Sequence, residues 1–166
     1  RETIFLSDPE VIERDIADMK EKGAEVIIYQ CHWGEEYNEH HVLIQEAMAR
    51  CCVRAGADLV IGHHPHVVQG ISFIENVPVV YSLGNMMFGG TLHLQTYDGL
   101  LVQATFSWQE EKKLPVKLRL IPILTSSQAS QKINDYCPQM AEGEDRLRIL
   151  LQIQRDTPFS IMDHPQ

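Results

Sequence analysis

Gly56-Ala57-Asp58-Leu59-Val60-Ile61-Gly62-His63-His64-Pro65-His66 is the stretch on which the reading of this chain turns. Asp58 to Gly62 is short, β-branched in its middle and almost wholly apolar, which is the pattern of a strand buried on both faces in a parallel sheet. Gly56 just ahead of it is a natural helix stop. Immediately after it, His63, His64 and His66 set three imidazoles within four residues at the strand's carboxyl end.

Working upstream, residues 39–55 carry Val42, Ile44, Ala47, Met48 and Cys51 at helical spacing, with Asn38 available as the N-cap. Ala24 to His32 reads as a second buried strand, and residues 8–22, from Asp8 and Pro9 through Val11, Ile12, Ile16 and Met19, as an amphipathic helix ending at Gly23. Helix, strand, helix and strand joined by short connections give a parallel α/β layer, whose ligands collect at the carboxyl ends of strands. His32 and the 63–66 cluster both lie at such ends.

Downstream the period changes to that of strands. Val67 to Ile74 and Val77 to Leu83 read as a hairpin about Glu75-Asn76, followed by strands near 99–108 and 116–124 with the charged segment 109–114 turning between them. The second half is therefore expected to be antiparallel. Residues 141–154 read as a late amphipathic helix, and 156–166, with two prolines, as a loose or docked tail. The organisation expected is one domain over 1–166: helices and strands to 66, antiparallel strands over 67–125, and a C-terminal helix and tail over 126–166.

Imidazole is the commonest neutral ligand for first-row divalent metals. In an extended segment His64 and His66 project to one side and His63 to the other, and Pro65 favours that extended conformation at His64. Gly62 is read as allowing a tight turn just before. His64 and His66 are thus the expected metal-binding pair, with His32 at the neighbouring strand end. Glu35 and Glu36 could orient a ligand imidazole as acceptors, but carboxylates ahead of a helix are also favoured by its dipole. Glu36 is read in the second sense, and Glu35 stays open. His40 and His41 are placed on the solvated first turn of a helix, and His93 and His164 have no assignable partners.

Composition narrows the function classes. Of 166 residues, 14 are Lys or Arg and 23 are Asp or Glu, a formal charge of −9 that repels nucleic-acid phosphates and anionic membrane surfaces. A metal in a cleft reverses that sign locally, so an anionic substrate remains compatible with the chain. No apolar run reaches the roughly 20 residues of a membrane-spanning helix. Cys31, Cys51, Cys52 and Cys137 form no Cys-x-x-Cys pair and read as apolar filling.

The motifs His-Trp-Gly-Glu-Glu-Tyr at 32–37, Gly-Ala-Asp-Leu-Val-Ile-Gly-His-His-Pro-His-Val at 56–67 and Val-Val-Tyr-Ser-Leu-Gly-Asn at 79–85 resemble the CapA, or poly-γ-glutamate capsule-synthesis, family within the calcineurin-like metallophosphoesterases. The resemblance covers roughly residues 8–124. It implies the C-terminal half of a four-layer α/β/β/α sandwich enclosing a two-metal centre of Mn, Fe or Zn. His32 matches that superfamily's isolated late histidine ligand, and His64 and His66 its terminal His-x-His. The place of His63 varies among relatives, which leaves it with Glu35 and Asn85 as candidates for the rim or for orienting ligands; Asn85 is read chiefly as a turn former. The superfamily's early acidic ligands do not occur in this chain, so the expectation is a piece of a larger site, completed by an N-terminal half or by assembly into a homo-oligomer. The activity implied is metal-dependent hydrolysis of a phosphate ester or an anionic polymer by the complete protein. The rival is a non-catalytic accessory of extracellular polymer synthesis or export. A bacterial envelope location is implied by resemblance alone, with any membrane attachment through segments outside this chain.

Overall fold

The computed structural model describes residues 8–161. Helix α1, Pro9–Glu21, starts as expected: the Asp8 carboxylate accepts from the Glu10 amide at 3.1 Å, and Pro9 occupies the first turn, where its missing N–H costs nothing. Its Ile12 and Ile16 are fully buried. Strand β1 spans only Ile28–His32. Ile27, just before it, is held outside the ladder by the Asp58 carboxylate, which accepts from its amide at 2.9 Å.

Helix α2 spans Leu43–Ala55, starting four residues later than the sequence suggests. Asn38 is not its cap; the side-chain oxygen of Asn38 instead accepts from the His40 amide at 3.1 Å, the local turn that competes with helix at such residues. Val42 occupies the N-cap position, and the Gln45 side chain reaches back to accept from its amide. Gly56 ends the helix at φ +109°, a conformation that glycine adopts without strain.

Strand β2, Leu59–His63, pairs in parallel with β1, from Ile28 opposite Leu59 to His32 opposite His63. Strands β3, Ile71–Ile74, and β4, Val77–Val80, form the expected hairpin, with Glu75 and Asn76 both at positive φ as a type I′ turn requires. One expectation fails here. The hairpin does not open a separate antiparallel layer: β4 pairs in parallel with β2, giving the order β1-β2-β4-β3. Val79 and Val80 explain this, since both are fully buried on opposite faces and so suit an interior strand.

The second sheet is antiparallel, with β5 (Asp98–Thr105) and β8 (Lys117–Leu124) in register and a short β9 (Gln139–Met140) beside β8. Between β5 and β8 the segment expected to be a plain turn forms a two-stranded ribbon, β6 (Trp108–Gln109) and β7 (Lys112–Lys113). Helix α3, Gly143–Arg155, follows. The tail is docked as far as it is described: Thr157 Oγ1 accepts from the Ile71 amide at 3.0 Å, and Ile161 is buried.

Two apolar clusters hold these layers. Ile12, Ile16, Ala49, Cys52, Val60 and Val79 fill the space between the first two helices and the mixed sheet. Val68, Ile71, Val80, Leu100, Ile149 and Ile153 join the other face of that sheet to β5, β8 and α3. Cys31 and Cys52 are buried in the first cluster, as the reading of apolar filling anticipates, while Cys137 is exposed. The fold is a mixed α/β arrangement, and the carboxyl ends of β1 and β2 lie side by side.

Candidate metal centre

In-register pairing brings His32 and His63 to the same level, and the Trp33 amide donates to the His63 carbonyl at 3.0 Å to close the pair. The chain then bends sharply. His64 has φ +100° and His66 φ +59°, so the extended run expected across 63–66 does not exist. Two non-glycine residues in this region cost about 1–3 kcal/mol each, strain that persists only where the surroundings impose it. Gly62 also has a different role from the one expected. Its φ is ordinary, but an added Cβ would lie 1.9 Å from the Tyr81 carbonyl oxygen and 2.3 Å from Trp33 Nε1. The indole N–H donates to that carbonyl at 2.8 Å across the glycine.

The bend brings His64 Nδ1 to 3.0 Å from His32 Nε2 and the His64 and His66 ring centres to 6.0 Å. His66 Nδ1 lies 2.9 Å from the Asn85 amide oxygen, which can only accept. That bond places the proton on Nδ1 and leaves Nε2 as the lone-pair atom of His66. Asn85 is buried, and it is a partner of a site histidine as well as a turn residue. Gly84 at φ +66° and Gly99, where a Cβ would meet the Asn85 carbonyl at 2.1 Å, make room for it.

The third donor is Glu36. Ligand atoms of Glu36, His64 and His66 lie within 4.8 Å of one another. The Tyr37 amide donates to the Pro65 carbonyl at 2.8 Å, tying the Glu36 turn directly to the histidine turn. The sequence reading assigned Glu36 to a helix dipole; with α2 starting at Leu43 there is no helix end beside it. Glu35 turns away and accepts from the Asn38 side chain at 3.2 Å. His63 is the cross-strand neighbour of His32 and is not one of the converging ligand atoms; burial, then the nearness of His32, lowers its pKa. The structure thus joins His32 to His64 in a pair and His64 to His66 and Glu36 in a triad.

Aromatic rings frame His66. Tyr37 stacks on it at 5.9 Å, and Phe88 meets it edge-on at 4.9 Å. An aromatic of the 32–37 run is expected at the rim from sequence, whereas Phe88 is not singled out there. His41, expected on a solvated face, lies flat against Tyr81 at 3.8 Å and binds the Asp156 carboxylate at 2.9 Å. His93 bonds to the Lys132 carbonyl at 2.9 Å, and His164 lies outside the described residues.

The donor set fits a divalent ion of the Zn, Mn or Fe group on chemical grounds. Two imidazole nitrogens and one carboxylate oxygen converge, a mixture that these metals accept and that soft Cu(I) or Ca²⁺ would not select. Burial, followed by the proximity of His64 and His66, lowers the pKa of His32 and so favours the neutral imidazole that binds metal.

A family model described as bacterial capsule synthesis protein PGA_cap matches residues 2–90, which contain every residue of the cluster and Asn85. The capsule biosynthesis protein CapA of Bacillus anthracis is 41% identical over 101 residues, 58% of this chain and 24% of that protein. The PGA biosynthesis protein CapA of Bacillus subtilis (strain 168) is 40% identical over 102 residues, 60% of this chain and 26% of that protein. The chain spans about a quarter of the length of these two relatives.

Proposed function

Because this chain belongs to the bacterial capsule synthesis protein family PGA_cap, we propose that it bears the histidine side of a metal-dependent hydrolase site, of the metallophosphoesterase type, in a protein of poly-γ-glutamate capsule synthesis. The observation that carries this reading is the convergence of Glu36, His64 and His66 at the ends of β1 and β2. A bound divalent ion there supplies Lewis acidity and a positive charge within an acidic chain.

The chain's own groups prepare the site for it. Asn85 holds the proton of His66 on Nδ1, so that Nε2 is free to coordinate. The His32–His64 bond fixes one ring against the other. Glu36 adds the anionic donor that two imidazoles lack, while Tyr37 and Phe88 pack against the His66 ring. A cleft of about 680 Å³ is lined in part by Val67, Thr96, Lys132 and Arg155, and it connects to the histidine turn through the Thr96 hydroxyl, which donates to the His66 carbonyl at 2.6 Å. Lys132 and Arg155 are suited to the carboxylates of an anionic chain, whereas Arg148 in the same cleft is engaged by Asp98 and Asp145.

The test is metal content and turnover of the full protein, with E36Q, H64A and H66A as variants. Stoichiometric Mn, Fe or Zn, lost in each variant, together with hydrolysis of a generic phosphate ester or of poly-γ-glutamate, supports the reading. Bound metal with polymer binding but no turnover favours a non-catalytic accessory. Unchanged metal content in all three variants refutes the ligand set.

A further inference from the structure

We infer that Gln69, with Gln45 behind it, is the positioning residue that holds the Glu36 turn against His64 and His66; this rests on the metal reading above. Both glutamines are completely buried. A primary amide taken out of water costs roughly 1–3 kcal/mol unless it is paired, so two of them in one place require a purpose in the folded state. Here they form a relay in which the principal groups are satisfied. Gln69 Nε2 donates to the Asn38 carbonyl at 2.8 Å and to the His40 carbonyl at 3.2 Å. Gln69 Oε1 accepts from Gln45 Nε2 at 2.9 Å, and Gln45 Oε1 accepts from the Val42 amide at 3.0 Å.

The geometry gives this relay one evident object. Residues 33–42 form no helix or strand, yet they carry Glu36 and Tyr37. Gln69 lies three residues after His66, and its own amide is fixed to the Ser82 carbonyl at 3.1 Å. Its side chain therefore ties the segment after Glu36 to the segment after the histidine turn, and the Tyr37–Pro65 bond ties the two turns at a second point. Gly34 belongs to the same device: at φ +83°, it leaves the space that the Gln45 amide fills, and a Cβ there would lie 2.8 Å from Gln45 Cδ. Leucine at 69 would leave the Asn38 and His40 carbonyls and the Gln45 amide without partners and would release the turn.

The experiment compares the full chain with Q69L, E36Q and the double variant by Co²⁺ titration, and follows amide hydrogen exchange of Tyr37 in the metal-free protein. Q69L should bind Co²⁺ about 10–100-fold more weakly, the usual effect of removing a group that orients a ligand. The double variant should be no weaker than E36Q alone, because Gln69 acts through Glu36. The Tyr37 amide should exchange faster in Q69L. A loss additive with that of E36Q, or an unchanged Tyr37 amide, overturns the inference. Q69M, which loses both donors at nearly the same shape without burying a charge, should reproduce the effect if Q69L does not fold. Absence of Co²⁺ binding by the unsubstituted chain would refute the metal reading, while the exchange rates still decide whether Gln69 holds the turn.

Discussion

Removing the Asp156 carboxylate should cost about 3–5 kcal/mol, because three hydrogen bonds lose one buried acceptor group. The side chain of Asp156 is only 6% exposed, so solvent screens it little. It accepts from the Gly70 amide at 2.8 Å, the His41 amide at 3.0 Å and the His41 ring at 2.9 Å. D156A strands two backbone donors and the ring, each worth about 1–3 kcal/mol when left unpaired, and partial relaxation keeps the sum within the stated range. Burial alone would raise the Asp156 pKa, but the bonds from His41 and Gly70 outweigh it and the net shift is downward. The sign follows: a depressed folded pKa gives stability that is present above the unfolded value of about 3.9 and is lost as pH falls through the folded value. Urea unfolding of the unsubstituted chain and of D156A should therefore differ most near neutral pH, and the difference should shrink in acid, where the native carboxyl is also uncharged. A gap smaller than about 1 kcal/mol near pH 7, or one that does not shrink in acid, would refute the clasp between the tail and the His41 loop.

Three further outcomes are expected. N85L should weaken Co²⁺ binding about 10–100-fold by freeing the His66 tautomer, and the imidazole nitrogen shifts in NMR should then report both Nδ1-H and Nε2-H forms. G62A should destabilise by about 1–3 kcal/mol, since the methyl group cannot share space with the Tyr81 carbonyl and the Trp33 indole; thermal unfolding measures the loss, and an unchanged midpoint contradicts the close approach. Glu75 sits at φ +50° in the β3–β4 turn, so E75N, which favours that conformation, should raise the midpoint whereas E75V lowers it.

The parts of the fold visible in the sequence were those governed by local rules. Pro9 after Asp8, the apolar run at 58–62 and Gly56 each have one strong conformational consequence, and the structure follows them. Pairing was less visible. Val77-Pro78-Val79-Val80 reads as a strand in either sheet, and only its burial on both faces puts β4 beside β2. The site was half legible for a similar reason. Three histidines in four residues announce themselves by composition, but their convergence depends on left-handed backbone at His64 and His66, which is unfavourable in isolation and is imposed by long-range bonds such as Tyr37 to Pro65. The helix-dipole reading of Glu36 fails because it depended on a helix boundary that lies further along at Leu43, and Asn38 looked like a cap while making a local turn instead. Gln45 and Gln69 look like surface residues in any one-dimensional reading, yet both are fully buried.

The net charge of −9 opposes the proposed anionic substrate, and the position of the acids decides how strongly. Glu35 and Glu36 lie in the site turn, and Glu39 lines the adjoining cleft. A polycarboxylate there would be repelled by these carboxylates, and Lys132 and Arg155, which line the same cleft as Glu39, can offset only part of that repulsion. A divalent ion held by Glu36, His64 and His66 neutralises one carboxylate and adds a net positive charge at the point where the chain would bind. Metal and polymer binding should therefore be coupled, each raising the affinity for the other by the same factor. Titrating full protein with poly-γ-glutamate at rising Zn²⁺ concentrations measures that factor. In E36Q the repulsion and the ligand are removed together, so polymer binding should become nearly independent of Zn²⁺; a dependence as steep as that of the unsubstituted protein would place the ion elsewhere.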